Sequence, residues 1–157
     1  DMMWAVLSVL FDDIIIIANQ QEEYYEKFIC KIGKDIIPGF GPLSGIHAAL
    51  TYSENPHCFI FACDLPFISG EIIQNQCKLI SNNYDVIIPK HEFGYEPLHS
   101  LWSKSCSKSL EQHLLNNPQN LKIKNYLDKI KTKYYNTDFN KAFTNINCQK
   151  DIEKILL

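Results

Sequence analysis

Ile14–Ile17 is an unbroken β-branched run, entered from Asp12-Asp13 and left at Asn19. A segment apolar on both faces predicts a central strand of a parallel sheet. Cys58–Ala62 repeats that pattern, and Asp85–Pro89 predicts a further strand. Lys31–Ile37 predicts another short strand and Tyr134-Tyr135 a short edge strand. Leu98–Trp102 predicts a returning strand after a hairpin-like excursion at His91–Tyr95, where Gly94 marks the turn. Helical stretches lie between these runs. Gln20–Phe28 is polar and aromatic, and Ile46–Tyr52 follows a punctuated loop. Glu71–Ile80 carries helical spacing behind Ser69, a good N-cap. Ser103–Leu115 sets Leu110, Leu114 and Leu115 on one face; Leu121–Ile130 and Asp151–Leu157 complete the set. Strands alternating with helices predict an α/β domain of three layers, with a mostly parallel twisted sheet and helices on both faces. No repeat, low-complexity tract or linker interrupts the pattern, which predicts a single domain over residues 1–157.

The first residues fit this scheme badly. Trp4–Ser8 reads as a first strand, and Val9–Asp13 as the end of a helix leading into Ile14. Neighbouring parallel strands need a crossover of about a dozen residues or more, and Ser8–Asp13 is too short for one. Either Met2–Phe11 is one helix and the chain begins late, or residues are absent near Ser8 and Val9. The second is preferred, and a Cα–Cα separation there well above ~3.8 Å would mark it.

Composition narrows the classes. At 157 residues, 46% hydrophobic and 21% charged, the chain buries a real core and is not a disordered segment. A net charge of -3 argues against a broad nucleic-acid surface. All 15 basic residues are Lys, so the chain has no bidentate guanidinium clamp for phosphate. The 6 Cys include no C-x-x-C pair and several sit in apolar runs. That predicts buried thiols in a reducing compartment rather than disulfides or zinc. The apolar Met2–Phe11 lacks a basic flank and is too short to span a bilayer. The expectation is a cytoplasmic protein without membrane or nucleic-acid partners.

In doubly wound sheets, ligands bind just beyond the carboxyl ends of the strands. Asn19, Asp35 and Asp64 occupy such positions. Asp64, one residue past a buried run, is placed to hold a divalent cation over a phosphate. Its competing role, capping the next helix, is weakened by Ser69. Gly41-Pro42-Leu43-Ser44-Gly45 opens a helix: Pro suits the first turn, the glycines allow close backbone approach, and a helix N-terminus favours anions. An ordinary tight connection explains the loop equally well. Asn145 and Asn147 flank Ile146 and point to one side of an extended segment, where they could bind ribose, phosphate or metal. Turn formation or capping by Asn147 competes with that reading. His47 and His99 are read as packed or surface residues, and Lys122–Lys133 as a solvated face.

In this order, the pieces resemble the molybdenum cofactor guanylyltransferases (the MobA type), of nucleotide-diphosphosugar-transferase fold. The matching stretches are Ile14–Asn19, Asp35 ahead of Gly41–Gly45, Ala62-Cys63-Asp64-Leu65-Pro66-Phe67, Glu96–Leu101, and Phe143–Asn147 with Asp151. The resemblance implies a Rossmann-like nucleotidyltransferase. It would transfer GMP from GTP to molybdopterin cofactor with Mg²⁺ and release pyrophosphate. Further implied partners are other molybdenum cofactor biosynthesis proteins and molybdoenzymes. Carried over by residue, Asp64 matches the Mg²⁺- and GTP-binding aspartate, and Asp35 a second GTP-contacting aspartate. Asn145 and Asn147 match an active-site Asn pair, one of which helps hold the metal, assigned here to Asn147. Gly41 and Gly45 flank the nucleotide, with Pro42, Leu43 and Asn19 beside it. Three departures stand out. The family's loop L-x-G-G-x-S-x-R-M-G-x-x-K has no match in this chain. Ile17 stands where Asn is frequent, and Glu96 where His commonly precedes Pro. The alternatives are a cytidylyl- or sugar-phosphate nucleotidyltransferase of the same fold, or a non-catalytic nucleotide- or pterin-binding protein.

Overall fold

Short β-branched and aromatic runs supply the strands, and stretches with apolar residues at helical spacing supply the helices that cover them. A computed structural model describes residues 2–20, 22–117, 119, 122–139 and 141–146. In chain order the elements are α1 (Met2–Leu10), β1 (Ile15–Ile17), α2 (Glu22–Tyr25), β2 (Lys31–Gly33), α3 (Pro42–Tyr52), β3 (His57–Phe61) and α4 (Gly70–Cys77). They continue with β4 (Val86–His91), β5 (Gly94–Tyr95), β6 (His99–Ser103), α5 (Cys106–Asn116), α6 (Ile123–Leu127), β7 (Thr132–Asn136) and a 3-10 turn, Lys141–Phe143. The helix expected at Asp151–Leu157 lies outside the described residues.

The strands form two hydrogen-bonded groups. β1 pairs with β2 in parallel. The larger sheet runs β3-β6-β4, with β5 on the end of β4 and β7 along the other edge of β4. The expected mostly parallel sheet is therefore mixed. β4 and β7 are parallel, but β6 is antiparallel to both β3 and β4, and β5 is antiparallel to β4. The cause is chain length. Too few residues separate His91 from His99 for a crossover helix, so the chain returns as a hairpin and enters β6 reversed. Because β6 opposes both its neighbours, β3 and β4 point the same way.

The starts of β1, β2 and β3 are tied together at one edge. Asn55 Nδ2 donates to Asp13 Oδ2 at 3.0 Å, and Lys31 Nζ reaches Glu54 Oε1 at 3.1 Å and Asp13 Oδ1 at 3.9 Å. These exposed pairs add little stability. Their value is geometric: they hold the starts of β1 and β2 against the start of β3, and Asn19, Asp35 and Asp64 each follow the far end of their own strand.

Alternation along β4 separates the two faces. Val86 and Ile88 join Leu43, Ile46 and Leu50 of α3, Leu110 and Leu114 of α5, Tyr126 and Leu127 of α6, and Trp102 of β6 in one core. Trp102 is fully buried; its Nε1–H donates to Ser100 Oγ at 2.6 Å, which satisfies its only polar atom. On the other face Phe59 and Phe61 stack at 4.7 Å with Phe11 beside them, and Ile72 of α4 meets Ala142 and Phe143. The three-layer arrangement with helices on both faces is thus formed. Ser69 caps α4 as expected, its Oγ accepting from the Ile72 N–H.

The N-terminal stretch departs from the strand reading. Trp4–Ser8 lies inside α1, and the backbone passes Ser8 and Val9 as one helix; the Phe11 N–H then donates to the Leu7 carbonyl at 2.9 Å. An apolar run such as MMWAVLSVL satisfies its own backbone in a helix, whereas a strand would need a partner. No residue of α1 is fully buried.

Candidate active site

Asn19 and Asp35 face each other across the ends of β1 and β2. Asn19 Nδ2 donates to Asp35 Oδ2 at 2.7 Å, and the Asp35 N–H donates to Asn19 Oδ1 at 2.9 Å. The reciprocal pair fixes both strand ends and leaves Asp35 Oδ1 without this partner. That oxygen lies 3.9 Å from where a Cβ on Gly45 would sit, so the carboxylate stands beside the first turn of α3.

The approach to α3 needs glycine at one point in particular. Gly41, its N-cap, has φ 56°, in the left-handed region that L side chains rarely adopt. Pro42 opens the helix, and Ser44 Oγ accepts from the Phe40 N–H at 3.0 Å, pinning the preceding loop. Leu43 is fully buried in the core. Only its backbone is available to a ligand, as one of the free N–H groups of a helix start.

Asp64 follows β3 through a tight turn in which the Leu65 N–H donates to the Ala62 carbonyl at 3.3 Å and the buried Leu65 side chain anchors the bend. Its Oδ1 is buried and has no hydrogen-bond partner. Leaving a carboxylate oxygen so is costly unless a ligand or cation completes it. The Asp64 carbonyl accepts from the Ile146 N–H at 2.8 Å. That bond lays the 144–146 segment across the strand end and sets the exposed Asn145 beside Asp64. Asn147 lies outside the described residues. No cluster of three or more His, Cys, Asp or Glu able to hold a metal occurs among the described residues. A Mg²⁺ shared with phosphate oxygens needs only one or two carboxylates, and Asp64 with its unmatched oxygen fits that requirement.

Reading the sequence for single residues missed the pair His91 and Glu96. The Phe93 N–H donates to His91 Nδ1 at 3.1 Å, so Nε2 carries the proton and donates to Glu96 Oε1 at 2.9 Å. The available signal was the hairpin at His91–Tyr95, which folds the two residues together. The ladder between β3 and β6 continues past Phe61 and His99, with the Ala62 N–H donating to the Leu98 carbonyl at 2.9 Å. Glu96-Pro97-Leu98 is thereby brought beside Ala62-Cys63-Asp64. His99, expected as a packed or surface residue, is fully buried.

The chain thus carries, past the ends of its first three strands, an amide–carboxylate pair, a glycine-capped helix start and a second carboxylate. The model of the MobA-like NTP transferase domain matches residues 2–130, and the chain belongs to that family. It is 45% identical over 111 residues to a protein of Clostridium perfringens (strain SM101 / Type A) named "Probable molybdenum cofactor guanylyltransferase", covering 71% of this chain and 55% of that protein. It is 32% identical over 156 residues to a protein of the same name from Pelotomaculum thermopropionicum, covering 95% of this chain and 74% of that one. Among solved structures it superposes on molybdopterin-guanine dinucleotide biosynthesis protein A from Archaeoglobus fulgidus. That match has TM-score 0.78 and 24% identity, and covers 98% of this chain and 83% of the other. The chain thus spans about half the length of the clostridial relatives it matches. No helix among the described residues is long and apolar enough to cross a membrane.

Proposed function

We propose that this chain transfers GMP from GTP to the terminal phosphate of molybdopterin cofactor, with release of pyrophosphate. The observation that carries the reading is Asp64, whose buried Oδ1 has no hydrogen-bond partner and stands just past the end of β3, as the Asn19–Asp35 pair stands just past the ends of β1 and β2. The names of the relatives agree with it. A phosphate oxygen of the acceptor forms a bond to the α-phosphorus. The bond from that phosphorus to its bridging oxygen breaks, and pyrophosphate leaves with the electron pair. Such a transfer asks the protein for positioning and charge stabilisation rather than covalent chemistry. Asn19 and Asp35 hold the nucleoside end, with the free N–H groups at the start of α3 facing the ligand. Asn145 orients the incoming phosphate. Asp64, with Asn147, would hold Mg²⁺, which when bound neutralises charge on the phosphates. The reaction belongs to the cytoplasm, where other molybdenum cofactor biosynthesis proteins and molybdoenzymes would receive the product.

Pyrophosphate release measured with GTP or CTP tests the reading. A rate with GTP at least about tenfold above that with CTP is expected, because a site built for one base leaves its polar groups unpaired with another. Equal rates would point to a broader nucleotidyltransferase. Removing divalent cations with EDTA is expected to stop release and added Mg²⁺ to restore it. Asp35→Ala is expected to weaken binding of a fluorescent GTP analogue about tenfold, the worth of one charge-assisted hydrogen bond. Because the pair is exposed, the urea midpoint should stay nearly unchanged.

A further inference from the structure

Beyond Asp64, on the side away from β1 and β2, the edge carries groups that nucleotide binding does not use. β6 occupies one edge of β3, while α3 packs against β1, β2 and β3. β4 runs in the same direction as β3, so the hairpin tip at its end, Glu92-Phe93, rises at the same edge as Asp64. Phe93 is 76% exposed and Phe139 44% exposed, yet the two rings meet edge to face at 5.4 Å. Below them His91 contacts both, at 6.1 Å and 5.2 Å, and stacks on Phe143 at 5.3 Å. Two large rings held together in solvent, over a floor of packed aromatics, form a ligand-sized apolar surface.

Glu96 gives that surface its polarity. His91, with a side chain only 3% exposed, donates to Oε1; the Glu96 side chain is 24% exposed and makes no other hydrogen bond among the described residues. A carboxylate offers about four lone-pair directions, so one imidazole N–H leaves most of its accepting capacity free. The Glu96 N–H donates to the Pro89 carbonyl at 3.0 Å, which ties its backbone to β4. The result is an immobilised acceptor held by His91, which itself touches the aromatic pair, and two residues before Leu98, whose carbonyl accepts from the Ala62 N–H.

We infer that Phe93, Phe139 and Glu96 form the subsite for the pterin ring of the acceptor, with His91 as the residue that positions Glu96. The inference rests on the proposed transfer. In-line displacement requires the acceptor to approach the α-phosphorus from the side opposite the departing pyrophosphate, and the groups at the ends of β1 and β2 are assigned to the nucleoside. A pterin is a flat heterocycle whose 2-amino-4-oxo edge presents an N–H and an amino group side by side. The exposed aromatic surface stacks against one face of the heterocycle, and the carboxylate takes that edge. Guanine carries the same edge, so the donor base is the competing occupant, and the subsite commits to the acceptor.

The test uses the full chain and two fluorescent probes, pterin and lumazine, which differ in that lumazine lacks the 2-amino group. The wild type should bind pterin at least about tenfold tighter than lumazine, and Glu96→Gln should bind the two nearly alike. Phe93→Ala, a change at an exposed tip that leaves the fold alone, should weaken both probes by about tenfold. None of these variants should alter affinity for GTP by more than about twofold. His91→Phe should raise the acceptor KM while leaving kcat and the GTP KM unchanged, a split that a folding defect would not give. Wild-type protein that binds neither probe, or that does not distinguish them, overturns the subsite. So does mutual displacement of pterin and GTP with Glu96→Gln weakening both, which would give the edge to guanine. Pterin captured through Glu96 by a protein that transfers nothing from GTP would support the subsite and overturn the proposed reaction.

Discussion

Asp64→Asn is expected to reduce GMP transfer on the order of 10³-fold without lowering stability. The exchange keeps the shape of the side chain and removes its charge. Oδ1 makes no hydrogen bond in the fold, so no structural contact is lost with it. The turn that carries Asp64 is held by backbone bonds, from the Leu65 N–H to Ala62 and from the Ile146 N–H to the Asp64 carbonyl, and by buried Leu65. None of these involves the carboxylate. The exchange removes no hydrogen bond at Oδ1, so the urea midpoint should match that of the wild type. The measurements are pyrophosphate release at saturating GTP and Mg²⁺, and equilibrium unfolding of both proteins. Near-normal turnover in the variant would move the metal site away from Asp64. A lost fold would show the carboxylate to be structural. Both outcomes are separable from the GTP-affinity change expected at Asp35, because in the proposed reaction Asp35 would contact the nucleoside end and Asp64 the phosphates.

The strand-end positions of Asp64 and Asn19 were legible in the sequence for a shared reason: each follows a short apolar run bounded by polar residues, which reads as a strand, whereas Asp35 lay within the expected strand Lys31–Ile37 and only the shorter β2 places it beyond a strand end. The length of those runs sets the sheet edge without reference to tertiary contacts. The direction of β6 was a different matter. Its pattern, His99–Ser103, reads as a strand either way up, and only the shortness of the link from His91 decides that it runs reversed. The N-terminal stretch failed for want of a period. Met2–Leu10 is apolar almost throughout, and a run without alternation suits a buried strand and a helix equally. Leu43 shows a finer limit. It sits inside a motif expected to face the ligand, yet its side chain is buried in the core, so motif membership bears on the backbone and not the side chain. Glu96 was visible only as an oddity before Pro97. Its partner His91 comes from the geometry of the hairpin, which no single-residue pattern contains.

His99 leads to the second large effect, which concerns stability rather than rate. The ring is fully buried, with Nδ1 and Nε2 both lacking hydrogen-bond partners. Phe59, Phe61 and Phe143 meet it edge to face at 5.5, 5.0 and 5.4 Å. Burial among these rings penalises the charged imidazolium and brings the His99 pKa down from the ordinary 6.5 to about 4. Between those values the unfolded chain binds a proton that the folded chain refuses, so stability rises with pH across the window. The contribution is complete above about pH 6.5 and is lost as pH falls toward 4; at pH 5 the loss from His99 alone is about 2 kcal/mol. His47 and His113 are also shifted down by burial and act in the same direction. Urea unfolding at pH 7.5 and pH 5.0 should therefore show a marked drop for the wild type. His99→Leu, which keeps an apolar group of similar bulk against the phenylalanines, should shrink that drop by about 2 kcal/mol while leaving the share of His47 and His113 in place. An equal drop in both proteins would show that the ring is protonated in the fold, and so that one of its nitrogens is hydrogen-bonded or reached by water.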